Sequence, residues 1–194
     1  IFKTHWWAWY TDPPVAQATV QIWDTAFKDK ATSDYSTCVT LATHATGIAV
    51  LDVWREKVEF PDLVRAVKSQ AQKHMPDMIG VEDTASGTPL IQVLRRETAL
   101  PILGITPKGD KVQRARRVTG TCEAGRVSLP REAPWLHQFL DELSGFPTAA
   151  HDDIVDAFVH GIERCRQPLL QLDDEDPKRT AKPPAFGGVR RRDF

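Results

Sequence analysis

Residues 78–105, MIGVEDTASGTPLIQVLRRETALPILGI, decide the fold that the sequence predicts. A short apolar strand pattern begins just before them, at Asp77, and ends at Glu82. A helical pattern over Leu90 to Arg96 and a second buried strand pattern over residues 101–105 follow. A strand, a helix and a strand in this order predict a parallel pair joined by a right-handed crossover. Ligands of open α/β sheets gather at the carboxyl ends of parallel strands, which is where Glu82 stands. The segment therefore predicts both a sheet and a candidate site at its edge.

The flanking segments predict a mixed sheet with helices on its faces. Strand patterns at Ser36–Thr43 and Ile48–Arg55 are separated by a short turn, which indicates an antiparallel meander with the earlier strand Thr19–Thr25. Apolar residues in 60–74 recur at helical spacing, and Pro61 suits a first helical turn. The other predicted elements are a helix from about Lys111, a strand near Arg126–Leu129, and helices at Pro134–Leu143 and Asp152–Arg164. The predicted fold class is α/β, with three antiparallel strands and then a parallel pair, flanked by helices.

Chain length and composition predict one domain and a tail. The 194 residues are 41% hydrophobic, which suffices for one sizeable core. We expect a single domain over residues 1–172. Residues 173–194 are rich in charge, proline and glycine with little to bury, so they predict a flexible tail. The first residue is Ile1 rather than Met, and an aromatic cluster follows it, which suggests a piece of a longer polypeptide.

Charge and cysteine content exclude several function classes. Lys and Arg number 25 against 26 Asp and Glu, so the net charge of -1 offers no bulk attraction to nucleic acid, and any such contact must be regional. The three cysteines are far apart without a CxxC pair, which argues against a disulfide framework or a zinc site. No run approaches the roughly 20 apolar residues that span a bilayer. The sequence thus predicts a soluble intracellular protein.

The first acidic motif is QIWDTAFKDKATSDYST, residues 21–37. On a strand, Val20, Ile22 and Asp24 point to one face, so Asp24 continues an apolar row on a covered surface. An ionised carboxylate in that setting needs a cation nearby, or its pKa rises. The alternative is that Asp24 ends the strand by capping the next turn. Lys28, in the following loop, could steady Asp24, reach a phosphate, or simply be exposed.

The second and third motifs place acids at the ends of other elements. Glu82 and Asp83 end the strand over 77–82, and alternation points them to opposite faces, so at most one is aimed at a site. The alternative is that they cap the next helix. The third motif, AAHDDIVDAFVHGI, residues 149–162, puts Asp153 and Asp156 on one arc of a helix, with Asp152 beside them.

The acids of the third motif have a simple explanation and a chemical one. The helix dipole favours acids in a first turn by about 0.3–1 kcal/mol, and a polar helix face is usually just solvated. However, Asp156 repels Asp152 at i, i+4 and Asp153 at i, i+3, unless a cation lies near them. Two divalent cations that hold a phosphodiester need carboxylates from several elements. Asp24, Glu82 and this helix together predict such a site.

Five basic residues in ten follow the strand over 101–105, and they are candidate phosphate contacts. A solvated helix face is the alternative. The residues are Lys108, Lys111, Arg114, Arg116 and Arg117.

Three segments resemble the carboxy-terminal nuclease domain of the large terminase subunit of tailed bacteriophages: WDTAFKDKATSDYS (23–36), IGVEDTASGTPLIQ (79–92) and HDDIVDAF (151–158). They occur in the family's order, and the resemblance covers about residues 1–165. It implies a ribonuclease H-like fold and a two-metal-ion endonuclease that uses Mg²⁺ or Mn²⁺. It also implies that Asp24 and Glu82 are metal ligands, together with Asp153 or Asp156, although the choice among these two and Asp152 stays open.

The resemblance further implies a biological role. The expected substrate is double-stranded viral DNA in concatemers, which the family cuts during genome packaging in the host cytoplasm. An amino-terminal packaging ATPase is expected outside this chain, because the sequence has no GxxxxGK(S/T) loop. The portal and the small terminase subunit are further expected partners, and no membrane is. Two other classes stay open: another ribonuclease H-like nuclease, of resolvase or integrase type, and a non-catalytic DNA-binding module whose acids are caps.

Overall fold

The computed structural model of the protein describes residues 1–26, 35–149 and 151–167. The predictions for Lys28 and for a tail over residues 173–194 lie outside these ranges. The described strands are β1 (Ala8–Tyr10), β2 (Ala18–Asp24), β3 (Ser36–His44), β4 (Gly47–Glu56), β5 (Met78–Glu82), β6 (Ile102–Ile105) and β7 (Val127–Pro130). The described α-helices are α1 (Phe60–His74), α2 (Gly87–Glu97), α3 (Lys111–Glu123), α4 (Leu136–Gly145) and α5 (Asp153–Cys165).

These strands form one mixed sheet in the order β1-β7-β4-β3-β2-β5-β6. The predicted antiparallel meander is confirmed, because β3 pairs antiparallel with both β2 and β4. The predicted parallel pair β5–β6 is confirmed too, and β5 also lies parallel to β2. The sheet extends further than predicted on the other side, where β7 lies parallel to β4 and β1 parallel to β7. The strand at Ala8–Tyr10 was not predicted.

Helices cover both faces of the sheet, and each face has its own apolar core. Under α1 and α2, Trp23 is fully buried and meets Trp54 with ring centroids 5.2 Å apart. Under α3, α4 and α5 the core is aromatic, and the rings of Phe2, Trp7, Phe139 and Phe158 contact one another edge to face or stacked. Strand alternation sends Val20 and Ile22 into this second core, so α5 lies on the face to which Asp24 belongs.

Helix α5 packs close to the sheet because a glycine faces the strands. A side chain at Gly161 would collide with the Leu41 side chain on β3. A larger residue there would hold α5 away from β2 and β3.

The amino-terminal end of α5 is capped by a side chain from α4. Glu142 Oε1 accepts hydrogen bonds from the backbone N–H groups of Ile154 (2.6 Å) and Val155 (3.3 Å). The N-cap residue of α5, Asp152, makes no side-chain capping hydrogen bond. The side-chain cap is therefore an acid distant in sequence.

None of the helices in the described ranges is both long enough and apolar enough to cross a bilayer.

Replacing Glu142 with Ala tests the cap. The buried N–H groups of Ile154 and Val155 would lose their acceptor, so we expect the free energy of unfolding to fall by about 1–3 kcal/mol. Denaturant unfolding followed by circular dichroism measures the change. Glu142→Gln keeps an acceptor oxygen and is the matched control, with a smaller loss expected. Equal losses in both variants would contradict a role based on hydrogen bonding.

Candidate metal centre

Asp24 and Glu82 end two adjacent parallel strands at the same edge of the sheet. The register pairs Trp23 of β2 with Val81 of β5, so the next residue of each strand is an acid. Both acids point toward the face covered by α5. Along the strands, Asp24 faces the same side as Ile22, and Glu82 faces the same side as Met78. Ile22 and Met78 both belong to the core under α5.

The third group of carboxylates comes from the first turn of α5, and the electrostatics show that it lies near the other two. Burial raises the pKa of Asp24 well above its usual range, and repulsion from Glu82, Asp156 and Asp153 raises it further. Burial also raises the pKa of Glu82, and repulsion from Asp156 adds to the increase. The predicted convergence of acids from β2, β5 and α5 is therefore present in the described structure.

The chain supplies its own cations to the acids of α5. Both oxygens of Asp156 are engaged, Oδ1 by Arg114 Nη2 at 2.9 Å and Oδ2 by Lys111 Nζ at 2.7 Å. Lys111 Nζ also lies 2.9 Å from Asp152 Oδ1. These cations offset the repulsion that the i, i+4 and i, i+3 spacings impose.

Asp153 is held by a buried arginine that no local sequence pattern singles out. Arg55 Nη2 lies 3.1 Å from Asp153 Oδ2 and 4.0 Å from Glu142 Oε2, and its side chain is only 5% exposed. The guanidinium stacks on the Tyr35 ring, 3.7 Å from the centroid. Arg55 pairs with Thr37 across β3, and Thr37 pairs in turn with Asp24. The position of Arg55 two strands from Asp24 follows from that register, which no local pattern reveals.

Asp24 differs from the acids of α5 because no cation holds it. Among the described residues its carboxylate has neither a hydrogen-bond partner nor an ion-pair partner. Lys111 lowers the pKa of Asp24, but burial and repulsion from the other acids each have a larger effect. Such a carboxylate is stabilised by protonation or by a cation brought from outside.

His160 lies beside Glu82 as a neutral imidazole. Its Nε2 is 3.8 Å from Glu82 Oε2, and this nitrogen is buried without a hydrogen-bond partner among the described residues. Burial, reinforced by the charge of Arg114, lowers the pKa of His160 to about 4. At pH 7 the contact between His160 and Glu82 is therefore not an ion pair. His160 is thus an uncharged neighbour of Glu82 rather than its counter-ion.

The donor set suits a hard divalent cation. Carboxylate oxygens are the ligands that Mg²⁺ and Mn²⁺ prefer, and within the described part of the chain Asp24 has no ion-pair partner. Over the described ranges no three Asp, Glu, His or Cys side chains form a complete metal-binding group. The acids converge, but those of α5 are turned toward Arg55, Arg114 and Lys111. Metal ligation by Asp24, Glu82, Asp153 and Asp156 stays a prediction.

The capping explanations fail for most of these acids. The side-chain cap of α5 is Glu142 rather than Asp152. Helix α2 has Ser86 at its N-cap without a side-chain capping bond. The neighbouring acid Asp83 accepts a hydrogen bond from Thr88 Oγ1 at 2.6 Å, so Asp83 serves the start of α2 while Glu82 faces α5. The two acids have separate roles, as strand alternation predicted.

The predicted basic cluster divides into exposed and engaged residues. Lys108 and Arg116 are exposed. Arg117 is half-exposed and pairs with Glu163 at 3.0 Å. Arg114 is 5% exposed and held by Asp156 and the Gly109 carbonyl, so it belongs to the acidic site rather than to the exposed surface. Lys111 likewise faces the acids in the described conformation.

Comparisons with known proteins agree with this geometry. A family model described as the terminase RNase H-like domain matches residues 21–164, more than half of the chain. No curated protein sequence matches the chain significantly.

Several solved structures are similar to the chain in fold. The large terminase nuclease of thermophilic phage G20c, with bound zinc, has a TM-score of 0.54 at 22% identity, with 72% of this chain and 78% of that chain covered. The human cytomegalovirus terminase nuclease domain, soaked with Mn and bound to an inhibitor, has a TM-score of 0.57 at 11% identity, with 77% and 83% covered.

A longer neighbour is the large terminase of another thermophilic bacteriophage, solved in complex with ADP. Its TM-score is 0.63 at 12% identity, and 84% of this chain but only 43% of that chain is covered. At these identities the likeness shows a shared fold. With the family match over most of its length, the chain belongs to the terminase RNase H-like domain family.

Proposed function

We propose that the protein is a metal-dependent endonuclease that cuts double-stranded concatemers of viral DNA during genome packaging. The observation that carries the proposal is the carboxylate of Asp24, which has no ion-pair partner among the described residues and lies near Glu82 and the acids of α5 at one sheet edge. A structural acid would be paired within the chain, as Asp152 is. Asp24 instead sits where an external cation would relieve both its burial and its repulsion.

Asp24, Glu82, Asp153 and Asp156 would hold two Mg²⁺ or Mn²⁺ ions. Such ions would supply activation of a water for attack on the phosphodiester and neutralisation of charge on the departing 3′ oxygen. The other parts of the protein hold and orient these four carboxylates. Asp24 and Glu82 are fixed by adjacent strands, and Arg55 and Arg114 fix Asp153 and Asp156. His160 adds an uncharged neighbour to Glu82.

The DNA backbone would be held by the exposed basic residues that follow β6. Lys108, Arg116 and Arg117 lie between β6 and the middle of α3, on the side of the sheet that carries the acids. Phosphate contacts of this type position a duplex without reading its sequence. Lys28 and Lys111 are further proposed contacts, Lys111 only when it is released from Asp152 and Asp156.

The proposed partners follow from the family. A large terminase chain more than twice as long as the matched region binds ADP in a solved relative. We therefore propose that this domain works with an amino-terminal packaging ATPase, with the portal and with the small terminase subunit, in the host cytoplasm.

Plasmid cleavage tests the nuclease proposal. Supercoiled DNA incubated with Mn²⁺ or Mg²⁺ should be nicked and linearised, and EDTA should prevent both. Asp24→Asn, Glu82→Gln, Asp153→Asn and Asp156→Asn should each lower the rate more than about 100-fold, because even residues that only support a metal ligand cost up to about that much.

Asp83→Asn is the matched control, since it removes the same charge one residue from Glu82 and should keep activity near that of the wild type. An inactive wild type whose melting temperature does not change when Mn²⁺ or Mg²⁺ is added would favour a DNA-binding module. Cleavage confined to branched DNA, or strand transfer, would favour a resolvase or an integrase.

Asp24→Asn should also stabilise the metal-free protein. An acid whose pKa is raised in the folded state binds more protons there than in the unfolded state, so its contribution to stability falls as pH rises above about 4, the ordinary pKa of Asp. The amide does not titrate. We expect the variant to gain about 0.5–2 kcal/mol over the wild type in EDTA at pH 7, and to lose this advantage near pH 4. Thermal unfolding across pH measures this. A variant less stable than the wild type at pH 7 would show that Asp24 has a partner.

Charge reversal tests the proposed DNA contacts. The double variant Lys108→Glu/Arg116→Glu should weaken duplex binding at low salt by at least roughly tenfold, and reduce the dependence of affinity on salt, because phosphate contacts release counterions. Fluorescence anisotropy with a labelled duplex measures both. Arg65→Glu/Arg96→Glu makes the same charge change on α1 and α2, which cover the other face. Equal weakening in both double variants would indicate a net-charge effect instead.

A further inference from the structure

Lys111 occupies the cation position of the acidic site. Its Nζ bridges two carboxylates, at 2.7 Å from Asp156 Oδ2 and 2.9 Å from Asp152 Oδ1. Its charge also extends to Asp24 and Glu82, whose pKa values it lowers. One ammonium group thus acts on carboxylates from β2, β5 and α5.

The two cations that hold Asp156 differ in how easily they can leave. The Arg114 side chain is 6% exposed, and a second bond to the Gly109 carbonyl fixes it. The Lys111 side chain is 49% exposed and carries its ammonium group on a flexible four-carbon stem. Arg114 is therefore a permanent partner of Asp156, whereas Lys111 can swing into solvent without leaving a buried cavity.

The place of Lys111 in α3 is not explained by that helix. Lys111 is the first residue of α3, directly after the N-cap Asp110. The positive end of a helix dipole disfavours a cation there. The carboxylates of Asp152 and Asp156, at the start of α5, offset this unfavourable effect of the α3 dipole on Lys111.

We propose that Lys111 is an internal counter-ion that occupies the acidic site until a divalent cation displaces it from Asp156. The inference rests on the proposed metal site. A metal ion and the Lys111 ammonium both need Asp156 Oδ2, so the two bind in competition. Lys111 keeps the metal-free domain stable, and it sets the metal concentration at which the site fills. Once displaced, its side chain is free to face a DNA phosphate.

Calorimetric titration with Mn²⁺ at pH 7 tests the competition. Lys111→Met keeps the length of the stem and removes the charge. We expect it to bind Mn²⁺ about tenfold more tightly than the wild type, within the usual range of coupling between two sites. Lys108→Met removes the same charge three residues away, outside the ion-pair network, and should leave the Mn²⁺ affinity within about twofold of wild type on the same reasoning.

Thermal unfolding supplies a second readout, with Lys111→Gln as a second neutral variant. Without metal, both neutral variants should melt below the wild type because the acids lose a counter-ion. Saturating Mn²⁺ should raise their melting temperatures more than that of the wild type, because stabilisation grows as Kd falls. Mn²⁺ binding that is unchanged or weaker in both variants would overturn the role of Lys111. A wild type that binds no Mn²⁺ would instead overturn the metal site itself.

Discussion

Mutual repulsion of carboxylates at one edge of the sheet is the constraint on which the site depends. Parallel pairing of β2 with β5 brings Asp24 and Glu82 side by side, and α5 adds two more acids on the same face. Such a cluster is costly in a folded chain unless positive charge is near. The protein meets this requirement on the helical side, where Arg55, Arg114 and Lys111 hold the acids of α5. On the strand side, Asp24 has no ion-pair partner among the residues that the structure describes, and only the more distant charge of Lys111 acts on it.

The helix that carries the acids is stabilised without using them. Glu142 of α4 satisfies the first amides of α5, so Asp152 and Asp153 are free to meet cations rather than the helix backbone. Arg55 joins the two systems, because it lies between Glu142 and Asp153. Gly161 leaves room for the Leu41 side chain where α5 packs on the sheet. Capping, charge balance and packing on the sheet thus involve separate residues.

The parts of the fold that local pattern controls were predictable from the sequence. Apolar periodicity placed α1 at Phe60–His74, and strand alternation put Asp24 on a covered face and pointed Glu82 and Asp83 to opposite faces. Strand β1 escaped prediction because Ala8–Tyr10 is short and depends on β7, more than 100 residues away. The roles of Arg55 and Glu142 escaped for the same reason, since each acts on residues that only the register and helix packing bring near. Arg114 was predicted as a phosphate contact because the spacing of basic residues does not reveal which of them is buried.

The tilted indole rings of Trp23 and Trp54, on the opposite face of the sheet, form a chromophore close to the site. Trp23 directly precedes Asp24 and Trp54 directly precedes Arg55, and both lie beside Cys38 in the register of the sheet. Their rings meet at an angle of 49°. Close indoles share their electronic excitation, so the sign and strength of their circular dichroism depend on that angle. A change of a few degrees in how β2 and β4 end at the site would therefore be visible as a change in an intrinsic chromophore, without any label.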